Sequence, residues 1–367
     1  MKYILITGAT GFVGINIVCR LLEENNTYLY LLARDAGTNT ATTRMHNILK
    51  TYYADTEEFN NVLNRIEIIS GDITEDKLGI SNDKWNELSQ KINIIYHSAA
   101  TIHFNLPYNE AYQINVLGTK RVLNFAEQCY KNRVLQVMNH ISTAYVGGKI
   151  FRTFFEHELS IGQEFANTYE KTKFEAEILT NEYINRGLPI IVYRPSIIAG
   201  NSISGVITKG AIIFEFINQF STHTYKEFIC NEDSSLNIIP IDYLIEAMIH
   251  ISMEKNNTGK TFHVINKNNT NIRSMVTTIC KALNVATPLF ISIDNQNHAS
   301  KYTKLLLYTF INYIEKSHVF DDSLATKALN NSNIICERIN ADYFVKIVSY
   351  CQENKLLKGA LRAIMDC

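Results

Sequence analysis

The sequence carries no excess of charge: 35 Lys and Arg stand against 36 Asp and Glu, a formal net charge of −1. That excludes a chain-wide field for gripping nucleic acid or an anionic membrane, and leaves only local patches. Metal-ligand spacing is missing too. The seven cysteines (Cys19, Cys129, Cys230, Cys280, Cys336, Cys351 and Cys367) are odd in number and scattered, with no CxxC and no Cys/His pattern. Neither a disulfide framework nor a metal site is expected, and a reducing, cytoplasmic compartment is the natural reading. No uninterrupted apolar stretch approaches the roughly 20 residues that span a bilayer; the nearest, Lys304 to Ile314, is broken by Tyr, Thr and Asn. The N-terminus has one lysine and a short apolar run ending in a glycine turn, which reads as a buried strand and not as a signal peptide. Internal repeats and low-complexity tracts are also absent.

What is present is globular composition: 367 residues, 46% hydrophobic and 19% charged. That length suits about two domains and can bury about three quarters of the unfolded surface. Short apolar runs recur with helical patterns between them: Tyr3–Thr7, Tyr28–Ala33, Ile66–Ser70, Ile94–His97, Leu135–Ile141 and Ile190–Tyr193. Runs apolar on both faces need helices to cover them, which predicts an α/β fold with a doubly wound parallel sheet. After Arg194-Pro195 the rhythm changes to a Gly/Ser loop (Gly200 to Gly205), further helix and loop, and a helical block from about Ser300 to the end, interrupted by a strand at Thr261–Ile265. The expected division is therefore a Rossmann domain over residues 1–199 plus about 237–266. A smaller, mainly helical C-terminal unit over about 200–236 plus 267–367 would form a lid on the sheet's carboxyl edge, where ligands bind.

Gly8-Ala-Thr-Gly11-Phe-Val-Gly14 follows the first strand directly and opens a helix whose apolar positions are Ile17, Val18, Leu21 and Leu22. Gly8 permits the tight turn, Gly11 lets backbone amides approach a pyrophosphate, and Gly14 lets helix and strand pack closely. The strand–turn–helix setting reads as a dinucleotide site, where the motif alone would be weak, with a purely structural turn of a doubly wound fold as the alternative. About 20 residues on, where a carboxylate would hold a ribose 2′-hydroxyl and an arginine a 2′-phosphate, Arg34 and Asp35 compete. Arg34 just past the strand and Arg44 on the next helix favour NADPH, although Arg44 also reads as a solvated helix arginine. Asp72 could receive the adenine amino group or be an ordinary turn aspartate.

Tyr169 and Lys173 lie one helical turn apart in Asn167-Thr-Tyr-Glu-Lys-Thr-Lys, with Asn167 and Glu170 spaced as a capping box. A helix starting there puts the phenol in its first turn. The macrodipole and the Lys173 ammonium would then draw its pKa below the usual value of about 10 and make a proton donor tuned toward neutrality. Thr143, at the end of the fifth strand, would offer a second hydroxyl to the same substrate oxygen. Such a Tyr/Lys pair is otherwise a snorkelling surface pair. The nucleotide-binding half upstream and the strand-end Thr favour chemistry.

These motifs resemble the extended short-chain dehydrogenase/reductase superfamily, and narrower stretches resemble its thioester reductase branch, the terminal reductase domains of nonribosomal peptide synthetases and carboxylic acid reductases. The stretches are Asp76-Lys-Leu-Gly-Ile-Ser, Ile95-Tyr-His-Ser-Ala-Ala with Pro107-Tyr108, Asn115-Val-Leu-Gly-Thr, Gly162-Gln-x-Phe-Ala-Asn-x-Tyr and Tyr193-Arg-Pro-Ser-Ile-Ile-Ala-Gly-Asn-Ser, with a tail from Phe320-Asp through Leu329 and Tyr343 to Leu357. The resemblance spans nearly the whole chain. It implies Thr143, Tyr169 and Lys173 as a catalytic triad, with Asn115 as a fourth member of the proton relay. It also implies an NADPH site built from the turn Thr7, Gly8, Thr10, Gly11, Phe12, Val13 and Gly14, from Arg34, Arg44, Asp72 and Ile73, from Ser98, Ala99 and Ala100, from Tyr169 and Lys173, and from Pro195 and Ile197. Thr172 stands where the family usually has Ser, and Ser98 where Asn is frequent.

The expected reaction is reductive release: hydride from NADPH to a thioester carbonyl, then collapse to an aldehyde, with an alcohol as an open further step. The thioester would come on coenzyme A or on a separate carrier protein, since this sequence contains no adenylation or carrier domain. Two other readings stand beside it. One is a nucleotide-sugar epimerase or dehydratase with tightly bound NAD; the other is a non-catalytic sensor of the nucleotide ratio. His97, His103 and His140 read as core or rim histidines. The segment Lys355 to Ile364 reads as a tail helix whose Lys355, Lys358 and Arg362 form a solvated face, with docking of an acidic carrier protein as the alternative.

Overall fold

The computed structural model describes residues 1–53, 55–104, 106–150, 152–222, 226–298, 313 and 318–358. Seven strands form one parallel sheet: β1 (Lys2–Thr7), β2 (Thr27–Ala33), β3 (Ile66–Ser70), β4 (Ile94–His97), β5 (Val137–Ile141), β6 (Ile190–Pro195) and β7 (Thr261–Val264). Their order across the sheet is β7-β6-β5-β4-β1-β2-β3. Alternation along the strands explains why both faces must be covered. Ile4 and Ile6 sink into one core, shared with Ile94, Val137 and Ile191; Leu5, Ile95, Met138 and Ile190 sink into the other.

Helices α1 (Phe12–Leu22) and α2 (Ala41–Tyr52) cover the first face, and α3 (Gly118–Lys131) and α4 (Thr168–Asn185) the second. Each presents an apolar stripe inward, such as Ile17, Val18 and Leu21 of α1, and each such side chain contributes about 1.5–3 kcal/mol when fully buried. A third core gathers α5 (Ile212–Ser221), α7 (Ile272–Ala282) and α8 (Ala341–Glu353) around Phe214, Ile217, Met275, Ile279, Phe344 and Ile347. It reaches the main sheet through Ala144, Tyr145 and Val146, just past β5. Between these, α6 (Ile241–Met253) returns to the first face beside α1, and β7 adds to the sheet edge against β6.

Two expectations are corrected. The stretch after Ser300 is not one helical block: a short strand at Val319–Phe320 pairs with Thr153–Phe154, and a helix at Ser323–Ala328 is separated by loop from α8. Residues 299–312 and 314–317 lie outside the described residues. The chain also does not continue as a helix through Lys355, whose φ of +51° ends α8 in a left-handed turn. Leu357 then buries and the Lys358 amide donates to Asn218, while Arg362 and the rest of that expected helix, from residue 359 on, fall outside the described residues. Among the described residues no helix is long and apolar enough to cross a membrane.

Candidate active site

The switch in strand order places β1 between β2 and β4, and the crevice beyond their carboxyl ends holds most of the expected nucleotide residues. Gly8, at φ +71°, turns the chain out of β1, and a Cβ there would stand 2.6 Å from the Ala99 amide nitrogen. The Ser98–Ala100 segment therefore lies directly on the turn. Ser98 Oγ donates to the Thr7 carbonyl at 2.8 Å, and the Thr7 hydroxyl pairs with His97 Nδ1 at 2.7 Å. Gly14 is held so close that a Cβ would be 2.1 Å from the Gly8 carbonyl oxygen, whereas Gly11 is exposed and a Cβ there would meet one backbone atom at 3.2 Å. Helix α1 begins at Gly11 with no side-chain cap. The amides of its first turn, from Phe12 and Val13 onward beside Thr10, thus face the crevice without a protein side chain to satisfy them. An uncapped helix start over a side-chain-free cradle fits a dinucleotide pyrophosphate.

Arg34 and Arg44 come together past β2: the Arg44 guanidinium donates to the Arg34 carbonyl, and Arg34 lies 3.7 Å from Asp72 with most of its side chain in solvent. Asp35 is engaged elsewhere, accepting from the Ala41 amide and the Ser70 hydroxyl, which hold its carboxyl below the usual range. Asp72 closes its own turn by accepting from the Thr74 amide and hydroxyl at 2.8 Å each, the ordinary turn-aspartate geometry. Ile73 is buried against Gly118 at the start of α3.

The residues expected to act in the chemistry converge at the end of β5. Asn167 caps α4 through its side chain, accepting from the Glu170 amide at 3.0 Å, while the Glu170 carboxyl reaches the Ala166 amide and not that of Asn167. Tyr169 is thereby fixed in the first turn, half-buried, with the Thr143 hydroxyl as hydrogen-bond partner of its phenol. Lys173 is buried one turn on, and its Nζ donates to the Ile141 carbonyl at 2.7 Å. The expectation of an acidified phenol is corrected: burial, aided by Glu170, pushes Tyr169 up to about 12, with Thr143 opposing. The Lys173 ammonium spends its nearest contact on Ile141, and its own burial draws it down to about 8 against the pull of Glu177.

Asn115 sits in a single π-turn, Gln113–Leu117, and its side chain bridges the Thr101 backbone and the Thr172 hydroxyl at 2.9 Å. It meets Thr172, between Tyr169 and Lys173 in sequence, rather than either member of the pair. Pro195 offers its carbonyl to the Thr143 hydroxyl at 3.4 Å, and Ile197 is buried in a short strand paired with Ile238–Pro240. His97 and His140 are fully buried beside one another and both are held well below the usual imidazole range by burial, whereas His103 is exposed.

Several neighbours carry no sequence signal of their own. Glu177, one turn beyond Lys173, is completely buried and takes hydrogen bonds from Ser142 at 2.5 Å and from Arg194 at 2.6 and 2.9 Å. Continuing the one-turn spacing from Tyr169 and Lys173 would have found it. Tyr313 and Phe104 could not have been found so: Phe104 stacks on Tyr313 at 5.8 Å and tilts on Tyr169 at 5.9 Å, across long separations in sequence.

The family described as "Male sterility protein", an NAD-binding family, matches residues 6–248. Probable fatty acyl-CoA reductase 5 of Arabidopsis thaliana is 28% identical over 334 residues, covering 72% of this chain and 65% of that protein. A linear gramicidin synthase of Brevibacillus parabrevis is 23% identical over 358 residues, 94% of this chain but 7% of the synthase. This chain thus spans less than two thirds of the length of these curated relatives. Among solved structures, the terminal R domain of the myxalamid PKS-NRPS pathway superposes with a TM-score of 0.81 at 24% identity, covering 98% of this chain and 92% of that one. The UDP-glucuronic acid 4-epimerase of Bacillus cereus, in complex with NAD, gives 0.70 at 20% identity with 98% of both chains covered. At these identities the superpositions establish a shared fold. With two thirds of its length matched, a seven-stranded Rossmann-type sheet and a glycine cradle at its switch point, the chain belongs to the male sterility protein family of NAD-binding proteins.

Proposed function

We propose that this chain is an NADPH-dependent reductase of acyl thioesters, releasing an aldehyde from coenzyme A or a separate carrier protein. The observation that carries this reading is the convergence of Tyr169, its Thr143 partner and buried Lys173 on the sheet edge that also bears the glycine cradle. A bound reduced nicotinamide would supply hydride. The turn from Thr7 to Gly14 would hold its pyrophosphate, with Ser98–Ala100, Ile73 and the segment Pro195–Ile197 lining the crevice. Arg34 just past β2, with the Arg44 guanidinium held on its carbonyl, favours a 2′-phosphate over a plain ribose, since Asp35 is already engaged.

The protein's part in the chemistry is to hold and move a proton. Tyr169, kept protonated across neutral pH, donates to the carbonyl oxygen as the carbon is reduced, and Thr143 hydrogen-bonds the same oxygen. The resulting hemithioacetal loses its carbon–sulfur bond; the thiol departs with a proton, and the oxygen returns to a carbonyl. The enzyme forms no covalent bond, so the buried cysteines need no role. The unit after Gly200, packed on this edge through Tyr145, is where acyl selectivity would reside.

The test is loss of nicotinamide absorbance with octanoyl- and benzoyl-pantetheine and the matching coenzyme A thioesters, with NADPH and NADH compared and nucleotide sugars as controls. NADPH oxidation on a thioester, with aldehyde found by mass, is expected. Tyr169→Phe should lower kcat by about 10²–10⁴-fold with NADPH still bound. Turnover of nucleotide sugars alone would overturn the reading, and so would undiminished turnover by the variant.

A further inference from the structure

Glu170 is a carboxyl that the chemistry above leaves unused. It is 2% exposed, directly after Tyr169 in the first turn of α4, and among the described residues no cation pairs with it directly, Lys149 acting only from a distance. Its Oε2 accepts from the Ala166 amide at 2.8 Å, and its Oε1 accepts from the Tyr313 hydroxyl at 2.5 Å. That hydroxyl in turn accepts from the Asn167 side-chain amide at 2.8 Å. The Tyr313 ring stacks on Phe104, which tilts on Tyr169, and meets Tyr145 edge-on at 5.0 Å. The contacts form a closed circuit: Glu170 to Tyr313, Tyr313 to Phe104, Phe104 to Tyr169, and Tyr169 back to Glu170 along the helix.

A buried carboxyl without a cation is costly as an anion, so a phenol and one amide are meagre support unless its place serves something else. From this circuit we infer that Glu170 and Tyr313 are a positioning pair for the reacting tyrosine: Glu170 anchors the Tyr313 ring that walls the site with Phe104, and its charge state sets the electrostatic surroundings of the Tyr169 phenol. The inference rests on Tyr169 being the proton donor proposed above.

The groups facing Glu170 define what can titrate. Tyr313, Tyr145 and Tyr169 are all pushed upward by burial and stay protonated; His318, 6.3 Å from the Tyr313 ring, is drawn down to about 4 and stays neutral; Lys149 favours the carboxylate from a distance. Glu170 itself is raised to about 7 by burial, against its bonds to Tyr313 and Ala166. As pH rises through that point an anion appears beside Tyr169, the phenol becomes a weaker acid, and proton donation slows. Lys173, drawn to about 8, adds a separate alkaline limb.

The experiment is the pH dependence of kcat/KM with NADPH and octanoyl-pantetheine, together with an infrared titration of the carboxyl stretch without substrate. In the wild type, ionisation of Glu170 alone should lower kcat/KM between pH 7 and 8, by at most about fivefold, the limit at which the anionic form is inactive. Glu170→Gln, which retains an acceptor for Tyr313, should lose that limb, keep the one from Lys173, and lose a carboxyl band titrating near neutrality. Tyr313→Phe removes a bond that favours the carboxylate, so the same limb and band should move to higher pH. Profiles and bands identical to wild type in both variants would overturn the inference, as would a uniform loss at every pH in folded, NADPH-binding protein. If Glu170→Gln does not fold, the direction of the shift in Tyr313→Phe decides alone. Wild-type turnover with unchanged variants defeats only this inference; a wild type inert toward thioesters defeats the reading it stands on as well.

Discussion

A phenol in the first turn of a helix, with a lysine one turn on, gains from the macrodipole and from the ammonium only if both act on its oxygen. In Tyr169 the larger effect is desolvation, and the lysine is turned toward the Ile141 carbonyl. The positions of Tyr169, Lys173 and Thr143 were legible because one-turn spacing and a strand end are local facts. Their acidities were not, because burial depends on packing from distant parts of the chain, as where Phe104 tilts on Tyr169. Lys173 offers a test of that burial. Its folded pKa of about 8 lies below the ordinary 10.5, so between those values the unfolded chain binds the extra proton and the fold gains stability as pH rises. Wild-type protein should therefore gain on Lys173→Met in stability between pH 8 and 10, by about 1–3 kcal/mol in matched denaturant melts. Parallel pH curves would show that the ammonium is well solvated.

Helix α1 and strand β1 share an apolar core, but their closest crossing is made by Gly8 and Gly14, and here spacing in the sequence carried the geometry. Gly8-x-x-Gly11-x-x-Gly14 specifies the turn, the open cradle and the close crossing separately. Gly14→Ala would put a methyl group into the Gly8 carbonyl, forcing α1 off the sheet. It should cost about 1–3 kcal/mol of stability and at least tenfold in NADPH affinity, read by melting and by nucleotide fluorescence titration. Gly11→Ala, with a single 3.2 Å contact to accommodate, should melt within about 1 kcal/mol of wild type while still binding nucleotide less well. Equal effects on stability would show that the crossing is not the constraint. The seven strands of the sheet were also legible, six as short apolar-rich runs and β7, Thr-Phe-His-Val, as a strand interrupting the later helical pattern. Pairs such as Val319–Phe320 with Thr153–Phe154 were not, because two residues hold no period and their pairing is fixed by tertiary packing.

Across the whole molecule, the sheet edge and the later chain are joined by buried charge. Arg194, 1% exposed at the end of β6, bonds Glu177 of α4, the Glu158 carbonyl and His263 of β7. Nearby, Glu156 accepts from the backbone amides of His263 and Ala325, fastening β7 to the helix at Ser323–Ala328. Only the Tyr-Arg-Pro motif hinted at this hub, because a buried arginine announces itself only through its partners. Arg194→Met should destabilise by about 3–5 kcal/mol by stranding the Glu177 carboxylate, and adding Glu177→Leu should recover much of that loss in denaturant unfolding. Additive losses in the double variant would assign the effect to packing.

The all-parallel sheet also has a consequence for biosynthesis. No neighbouring pair of strands can be joined by a hairpin, so each pairing waits for a complete crossover to leave the ribosome. β6 ends at Pro195 and its outer partner is complete only at Val264. At roughly 5–20 residues per second, that row of amides and carbonyls stands unmatched for several seconds. In that interval the nascent chain offers a foreign strand the place that its own residues 261–264 will later take.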